Sequence, residues 1–291
     1  MTPYILPAEL LNLPTGVQWS TIPRAGATAA EQAAAQYQLC MTASDWVDGE
    51  CHQSLRATTD ADIYHIQGSR AAIAPGGELE VQPYRWPVLS VSLAELRASN
   101  ANDTDYSTIA SADISLLSNA GPAELAAGAG TSVVRISGSW YGIQRDALTL
   151  RLTYVNGWPN SALSAGVTVG QTSLPISDVV GWAVGTQAQI IDGANTERLT
   201  VTAVVANGDG TGSLTVPALG YVHVVGVMVT AMPGRIRTAA GFYVAHLALF
   251  RGTQAIAPPS IRGGAPRMTS VSGQDFLQLA KDNLVPFRRI I

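Results

Sequence analysis

The stretch from Met232 to Gly252, MPGRIRTAAGFYVAHLALFRG, constrains the fold more than any other part of the chain. Ile236, Ala239, Ala240, Tyr243, Val244, Leu247 and Phe250 recur at steps of three and four, which is one face of a helix. Pro233 suits the first turn, where a missing N–H costs nothing. Arg251 suits the negative end of the helix dipole, and Gly252 can adopt the left-handed stop. The small residues Ala239, Ala240, Gly241, Ala245 and Ala248 would let other helices approach closely. Such a helix needs helical partners, yet most of the chain before it alternates with a period of two. A helical core interrupted by β-structure is the expectation.

Two further helices meet that need. Thr28-Ala29-Ala30-Glu31 is a capping-box pattern and opens a helix over 28–52. Ala33, Tyr37, Cys40, Ser44, Val47 and Cys51 follow the helical spacing there, with Leu39, Ala43 and Trp46 widening the face. The last helix, 272–285, presents Phe276, Leu279, Ala280 and Leu284 and stops at Pro286. Between the first two helices, the runs 55–66, 77–84, 87–96, 114–117, 132–137 and 147–155 read as strands or their edges. Residues 160–231 hold short strands about ten residues apart, separated by Gly, Asn and Asp. That spacing predicts a small antiparallel barrel or sandwich. The chain thus reads as α+β: a small helical bundle (28–52, 233–252, 272–285), a strand region, and a β domain at 160–231. Residues 1–27 are an irregular lead-in with one helical turn at PAELLNLP. Residues 254–268 are a Pro/Gly-rich linker.

Charged residues are only 13% of the 291, about half the usual share of roughly 25%. Much of the surface is then neutral or covered by neighbours. Of 17 basic residues Lys281 is the only lysine, and the net charge is −4. No basic domain exists to grip nucleic acid by its phosphates. No apolar run reaches the roughly 18–20 residues of a membrane span, and the first residues lack the basic start of a signal peptide. Cys40 and Cys51 fall on one helix about 16 Å apart at ~1.5 Å per residue, too far to pair. They read as buried thiols in a reducing compartment.

No catalytic constellation is legible. His52, His65, His223 and His246 are scattered, without zinc spacing or HExxH. His246 reads as a core or interface histidine. Cys51 and His52 are neighbours on a helix and point about 100° apart. Gly208–Gly212 lacks the ending of a phosphate loop and reads as a hairpin turn. Asp60 with Asp62, and Asp103 with Asp105, could ligate a cation but read more simply as solvated polar faces. Gly138–Gly142 is one residue out of register with a nucleophile elbow. The expectation is no enzyme, no metal and no cofactor. Phe287-Arg288-Arg289-Ile290-Ile291 is different: arginines between apolar residues on a terminus suit docking into a partner groove.

In their order, these pieces resemble the head–tail connector, or adaptor, proteins of long-tailed bacteriophages. The resemblance is carried by AAAQYQLCMTASDWVDGECHQ followed by LRATTDADIYHI, by RWPVLSVSLAEL, by SGSWYG ahead of LRLTYVNGWP, by PGRIRTAAGFYVAHLALFRG, and by the LVPFRRII ending. It covers roughly 28–97, 132–159 and 232–291. Residues 160–231 depart from it, as a β domain inserted between the Tyr-x-x-Gly-aromatic turn and the helix. The adaptor core would then be 28–159 with 232–291. The resemblance implies a structural virion protein of the neck, assembled in the bacterial host cytoplasm. It forms a ring of about twelve copies below the portal protein, extends the DNA channel without binding DNA specifically, and offers its other face to a stopper or tail-side neck protein. By the same resemblance Phe287, Arg288, Arg289, Ile290 and Ile291 dock on the portal, and deletion of 286–291 would leave a folded protein. Arg235 and Arg237, at the exposed start of their helix, are candidates for subunit contacts. The insert would lie outside the ring, toward capsid, tail or decoration protein. Alternative readings are a tail-side neck or tail-completion protein, and a non-viral carbohydrate-binding or hydrolytic β protein.

Overall fold

Three helices close over one buried cluster. The computed structural model describes residues 2–66, 70–98, 105–118, 132–138, 140, 148–250 and 273–288, apart from the side chains of Ser118, Ser132 and Phe250. A one-turn helix α1 (Pro7–Leu10) precedes α2 (Ala29–Cys51), α3 (Gly234–Phe250) and α4 (Gly273–Leu284). The Thr28 hydroxyl accepts the Glu31 amide and the Glu31 carboxylate accepts the Thr28 amide, so the capping box opens α2. At its other end His52 takes the left-handed conformation, φ 56°. Leu39, Cys40, Ala43, Val47 and Cys51 of α2 meet Ile236, Ala239, Ala240, Val244, Ala245 and Ala248 of α3 and Phe276, Ala280 and Leu284 of α4 in one core. Trp46 stacks flat on Tyr243, ring centroids 4.0 Å apart. Pro233 immediately precedes α3, and Arg251, Gly252 and the linker at 254–268 lie outside the described residues.

The expected lead-in is part of this core. Tyr4, Ile5, Leu10, Val17, Trp19 and Ile22 are all buried in it. The Tyr4 hydroxyl donates to Asp48, whose carboxylate also accepts the Leu55 amide, so the N-terminal segment is tied across the end of α2. Gly241 is what allows the approach: a Cβ there would come within 2.2 Å of Leu13 Cδ1 and 3.0 Å of Ile5 Cδ1.

The rest is antiparallel sheet, so the fold is α+β with few helices and several sheets. β1 (Thr58–His65), β8 (Leu148–Asn156), β4 (Val88–Ala98) and β5 (Ser107–Thr108) form one sheet in that order. β2 (Ala71–Ile73), β3 (Leu79–Val81), β7 (Ser132–Ile136) and β6 (Ile114–Ser118) form a second. Their inner faces share a core built on Tyr64, Leu79, Val81, Val134, Ile136, Leu150, Leu152 and Tyr154.

Within 160–231 there are two more sheets. β10 (Ser173–Ile176), β14 (Gly212–Thr215) and β13 (Ala203–Ala206) form one, and β12 (Glu197–Thr200), β11 (Gln187–Ile191), β15 (Met228–Thr230) and β9 (Asn160–Ala162) the other. Both contribute to a core of their own, centred on Leu163, Leu174, Ile176, Ile190, Leu214 and Val229. Neither closes, so the barrel alternative does not hold. The run from Glu197 to Val205, one strand by its pattern, breaks at Val201-Thr202 because its two halves serve different sheets.

The joint between sheet and helices is the turn after β8. Gly157, at φ +91°, lies against the backbone of residues 55 and 56, where a Cβ would come within 2.6 Å of the Arg56 carbonyl oxygen. The Gly157 amide donates to Pro87 O (2.9 Å), Trp158 N to Leu55 O (2.8 Å) and Ala57 N to Trp158 O (2.9 Å). The Trp158 side chain then enters the helical core.

Candidate functional site

The C-terminal segment is fastened where α2 ends. After α4, Val285–Phe287 makes a 3-10 turn that aims Phe287 inward. The Phe287 ring is fully buried between Trp86 (6.5 Å between centroids) and Trp158 (5.5 Å, edge-on). Gln53, released from helical geometry by the left-handed His52, bridges the same place: its amide nitrogen donates to Phe287 O (3.3 Å) and its oxygen accepts the Trp86 amide (3.1 Å). Phe287 is therefore core, which corrects its expected position on a free end. Arg288 pairs with Glu50 beside a shallow cleft of about 380 Å³ that Trp46, Gly49 and His52 also line. Arg289, Ile290 and Ile291 lie outside the described residues.

The two helix-start arginines part company. Arg235 is exposed and reaches the Asp282 carbonyl only at 3.5 Å. Arg237 is mostly buried and pairs with Glu9, whose other oxygen accepts the Leu6 amide that opens α1. Burial pulls the Arg237 guanidinium down to about 10, so it stays charged at neutral pH. The expectation of an exposed Arg237 is corrected: Glu9 of α1 pairs with it, and its side chain is only 14% exposed.

Asp60 and Asp62 are not a bare acidic face. Arg85 Nη1 lies 3.1 Å from Asp60 and 3.4 Å from Asp62. The Tyr154 hydroxyl donates to Asp62, and Asn156 and Thr58 donate to Asp60. The Arg85 amide in turn donates to the Tyr154 oxygen, so the cluster holds the chain ahead of β4 onto β1 and β8. Burial, then the neighbouring Tyr64, pushes the Tyr154 hydroxyl well above the usual phenol range.

Sequence reasoning missed the group around His223. Its ring is wholly buried, with Nδ1 2.9 Å from Asp192 Oδ2 and Nε2 2.8 Å from Glu197 Oε1. Burial pushes Glu197 up, but hydrogen bonds from the Gly220 amide and His223 outweigh it and hold its carboxyl below the usual range. The carboxylates face opposite sides of the ring and do not converge on one point. The available signal was the run Tyr221-Val222-His223-Val224-Val225 between glycines, too apolar for an ordinary turn. Beside it lies a cavity of about 800 Å³, between α1, the start of α3 and the β11 end.

His246 Nδ1 is 2.7 Å from the Gly273 carbonyl, joining α3 to α4 as a structural histidine. Cys40 and Cys51 are buried and unpaired, and burial pushes both thiols up to about 12, far from nucleophilic thiolates. Cys51 is buried and His52 exposed, so they form no dyad. Asp209, in the 207–211 hairpin connection, accepts from Thr211 of the same turn. Ser139, Tyr141, Gly142 and Asp103 lie outside the described residues. Among the described residues no group of three or more His, Cys, Asp and Glu is placed to hold a metal ion, and no helix is long and apolar enough to cross a membrane. No protein-family model, curated protein or solved structure matches the chain.

Proposed function

We propose that this chain is a head–tail adaptor of a phage or phage-like particle, a structural protein without catalytic role. It forms a ring of about twelve copies below the portal, extends the DNA channel and offers a new rim to a stopper or tail-side protein. The observation that carries the reading is the buried cluster uniting 28–52, Trp158, 232–250 and 273–287. Those stretches fall, in order, within 28–97, 132–159 and 232–291, which carry the resemblance to adaptors. Residues 160–231 are then a β domain inserted into an adaptor core, on the outside of the ring, within reach of capsid, tail or decoration protein.

The portal-docking element in this proposal is narrower than the terminal pentapeptide. Phe287 anchors it, Arg288 follows beside Glu50, and Arg289, Ile290 and Ile291 come next in the sequence. Arg235, exposed at the start of α3, remains a candidate for a neighbouring subunit. The test is electron microscopy of purified particles carrying the full chain or the chain lacking 289–291. The full chain is expected as a ring at the neck. The truncated chain is expected to fold and to be missing from portal-filled heads. Absence of the full chain from the particle sinks the adaptor reading; normal attachment of the truncated chain sinks the docking assignment alone.

A further inference from the structure

The outer edge of β1 is used by nothing described so far. β1 pairs with β8 along its whole length, Thr58 to His65, without a register shift. Just past the strand the Ile66 amide donates to Leu148 O, and the Gly157 amide after β8 donates to Pro87 O on the β4 side. Bonds between antiparallel strands fall at alternate residues. The even-numbered residues of β1 therefore bond to β8, and the backbone groups of Thr59, Ala61, Ile63 and His65 point away from it. Among the described residues no backbone partner meets their amides and carbonyls. All four residues are exposed, Ile63 to 52%.

Such an edge is a template for a further strand unless something blunts it. The other described edges are blunted. β2, β5, β6, β9, β10, β12 and β13 are only two to five residues long. Where β5 does not cover β4, the register of β4 shifts twice. β1 has neither lysine, proline nor bulge along its length.

The opposite face of β1 says what kind of strand fits. Asp60 and Asp62 share one guanidinium there, that of Arg85, which leaves one negative charge in excess. The two carboxylate side chains are 25% and 16% exposed, so a neighbouring strand can reach them. Two β1 strands laid edge to edge would bring carboxylates together, and like charges across a ladder destabilise it. A second copy offers no other described edge of this length. A strand with arginine or lysine beside Asp60 and Asp62 gains where β1 itself would lose.

We propose that β1 is a receiving edge for an extended segment of another protein. The segment adds to the four-stranded sheet outside β1, sets arginine or lysine beside Asp60 and Asp62, and lays uncharged side chains beside Ala61 and Ile63. Backbone bonds supply the affinity and the alternating side chains supply the choice. The inference does not rest on the adaptor reading.

The experiment is residue-resolved amide hydrogen exchange of the full chain by nuclear magnetic resonance. The chain is measured alone and with a synthetic peptide that alternates arginine with valine and threonine. Alone, the amides of Asp60, Asp62 and Tyr64 are expected to be protected, and those of Thr59, Ala61, Ile63 and His65 to exchange freely. The peptide should slow those four by about tenfold or more. The same peptide with glutamate for arginine should bind about tenfold more weakly. Ala61→Pro removes an amide that the fold does not use, which an edge strand tolerates. That variant should unfold at nearly the same temperature and no longer respond to the peptide. The comparison of peptides needs no variant, so it decides even where the proline chain fails to fold. Outer amides already protected in the isolated chain, exchange that the arginine peptide leaves unchanged, equal effects of the two peptides, or a folded Ala61→Pro chain that still responds overturns the proposal. So does protection of the outer amides that grows with chain concentration, which would make a second copy the occupant.

Discussion

The amide of Ala231 donates to the carbonyl of Pro159 across 2.9 Å. Next to that bond β9 and β15 pair, Asn160 opposite Thr230. Residues 159 and 231 thus adjoin, and a buried cluster of its own forms from residues between 163 and 229. If the core does not depend on that excursion, joining residue 159 to residue 231 through a short glycine linker should leave it folded. The expected outcome is a cooperative thermal transition with the helical circular-dichroism signal per molecule retained. Some stability should be lost, because Gly181 lies against Ala57 and Leu89, which the shortened chain keeps. Residues 159–231 made alone should also unfold cooperatively. A shortened chain with helical signal but no cooperative transition would show that the two parts fold only together.

Gly157 is the most constrained backbone position of the joint. Its φ of +91° is a region where other residues are strained, and a Cβ would meet the Arg56 carbonyl at 2.6 Å. Gly157→Ala should therefore destabilise the chain by about 1–3 kcal/mol from backbone strain, with the overlap adding to it. Urea unfolding measures this. Gly210→Ala is the control: its φ is +86° but nothing lies within 4 Å, so it carries strain without overlap. Equal losses at the two positions would mean that the contact with residue 56 contributes nothing.

What could be read from the residues was what depends on near neighbours. The capping box at Thr28 and Glu31, the three helices and the short strands within 160–231 are local patterns, and they needed no knowledge of the fold. Strand membership is not local. Glu197–Val205 is uniformly strand-like, and only the two-layer packing makes it bend at Val201. Side-chain environment is less local still. Phe287 followed by two arginines looks like a free docking end unless Trp86 and Trp158 are known to wait for it. Arg237 looks exposed until Glu9 pairs with it. His223 looked isolated because Asp192 and Glu197 reach it only through the turn between β11 and β12.

The C-terminal anchor and the segment beyond it should separate by mutation. Phe287→Ala removes a wholly buried ring from between two tryptophans and leaves a cavity. Phe→Ala changes at such sites cost about 3–5 kcal/mol. Deletion of 286–291 should therefore unfold or severely weaken the chain, contrary to the expectation from sequence. Deletion of 289–291 should leave the denaturation midpoint nearly unchanged. A chain lacking 286–291 with unaltered stability would remove Phe287 from the core.

The two buried thiols give stability a defined pH dependence. Burial raises both Cys40 and Cys51 to about 12, and Asp48 adds to the effect at Cys51. An unfolded cysteine ionises near pH ~8.5. Below that value both states keep the proton and the thiols contribute no slope. Between about 8.5 and 12 the unfolded chain has released protons that the folded chain retains. The unfolded state then binds fewer protons, so stability falls as pH rises, by up to about 1.4 kcal/mol per pH unit for each thiol. Tyr4, Tyr64 and Tyr154 are raised as well and add to the decline only above pH ~10, where free tyrosine ionises. Urea unfolding at pH 7.5, 8.5 and 9.5 should show a loss of less than about 1 kcal/mol over the first step and of about 2 kcal/mol over the second. The Cys40→Ala with Cys51→Ala variant should be less stable throughout yet nearly flat from 8.5 to 9.5. Neither thiol should react with a disulfide reagent in the folded chain at pH 8, and both should react in urea. A wild-type slope that the double variant retains would assign the pH dependence to other groups.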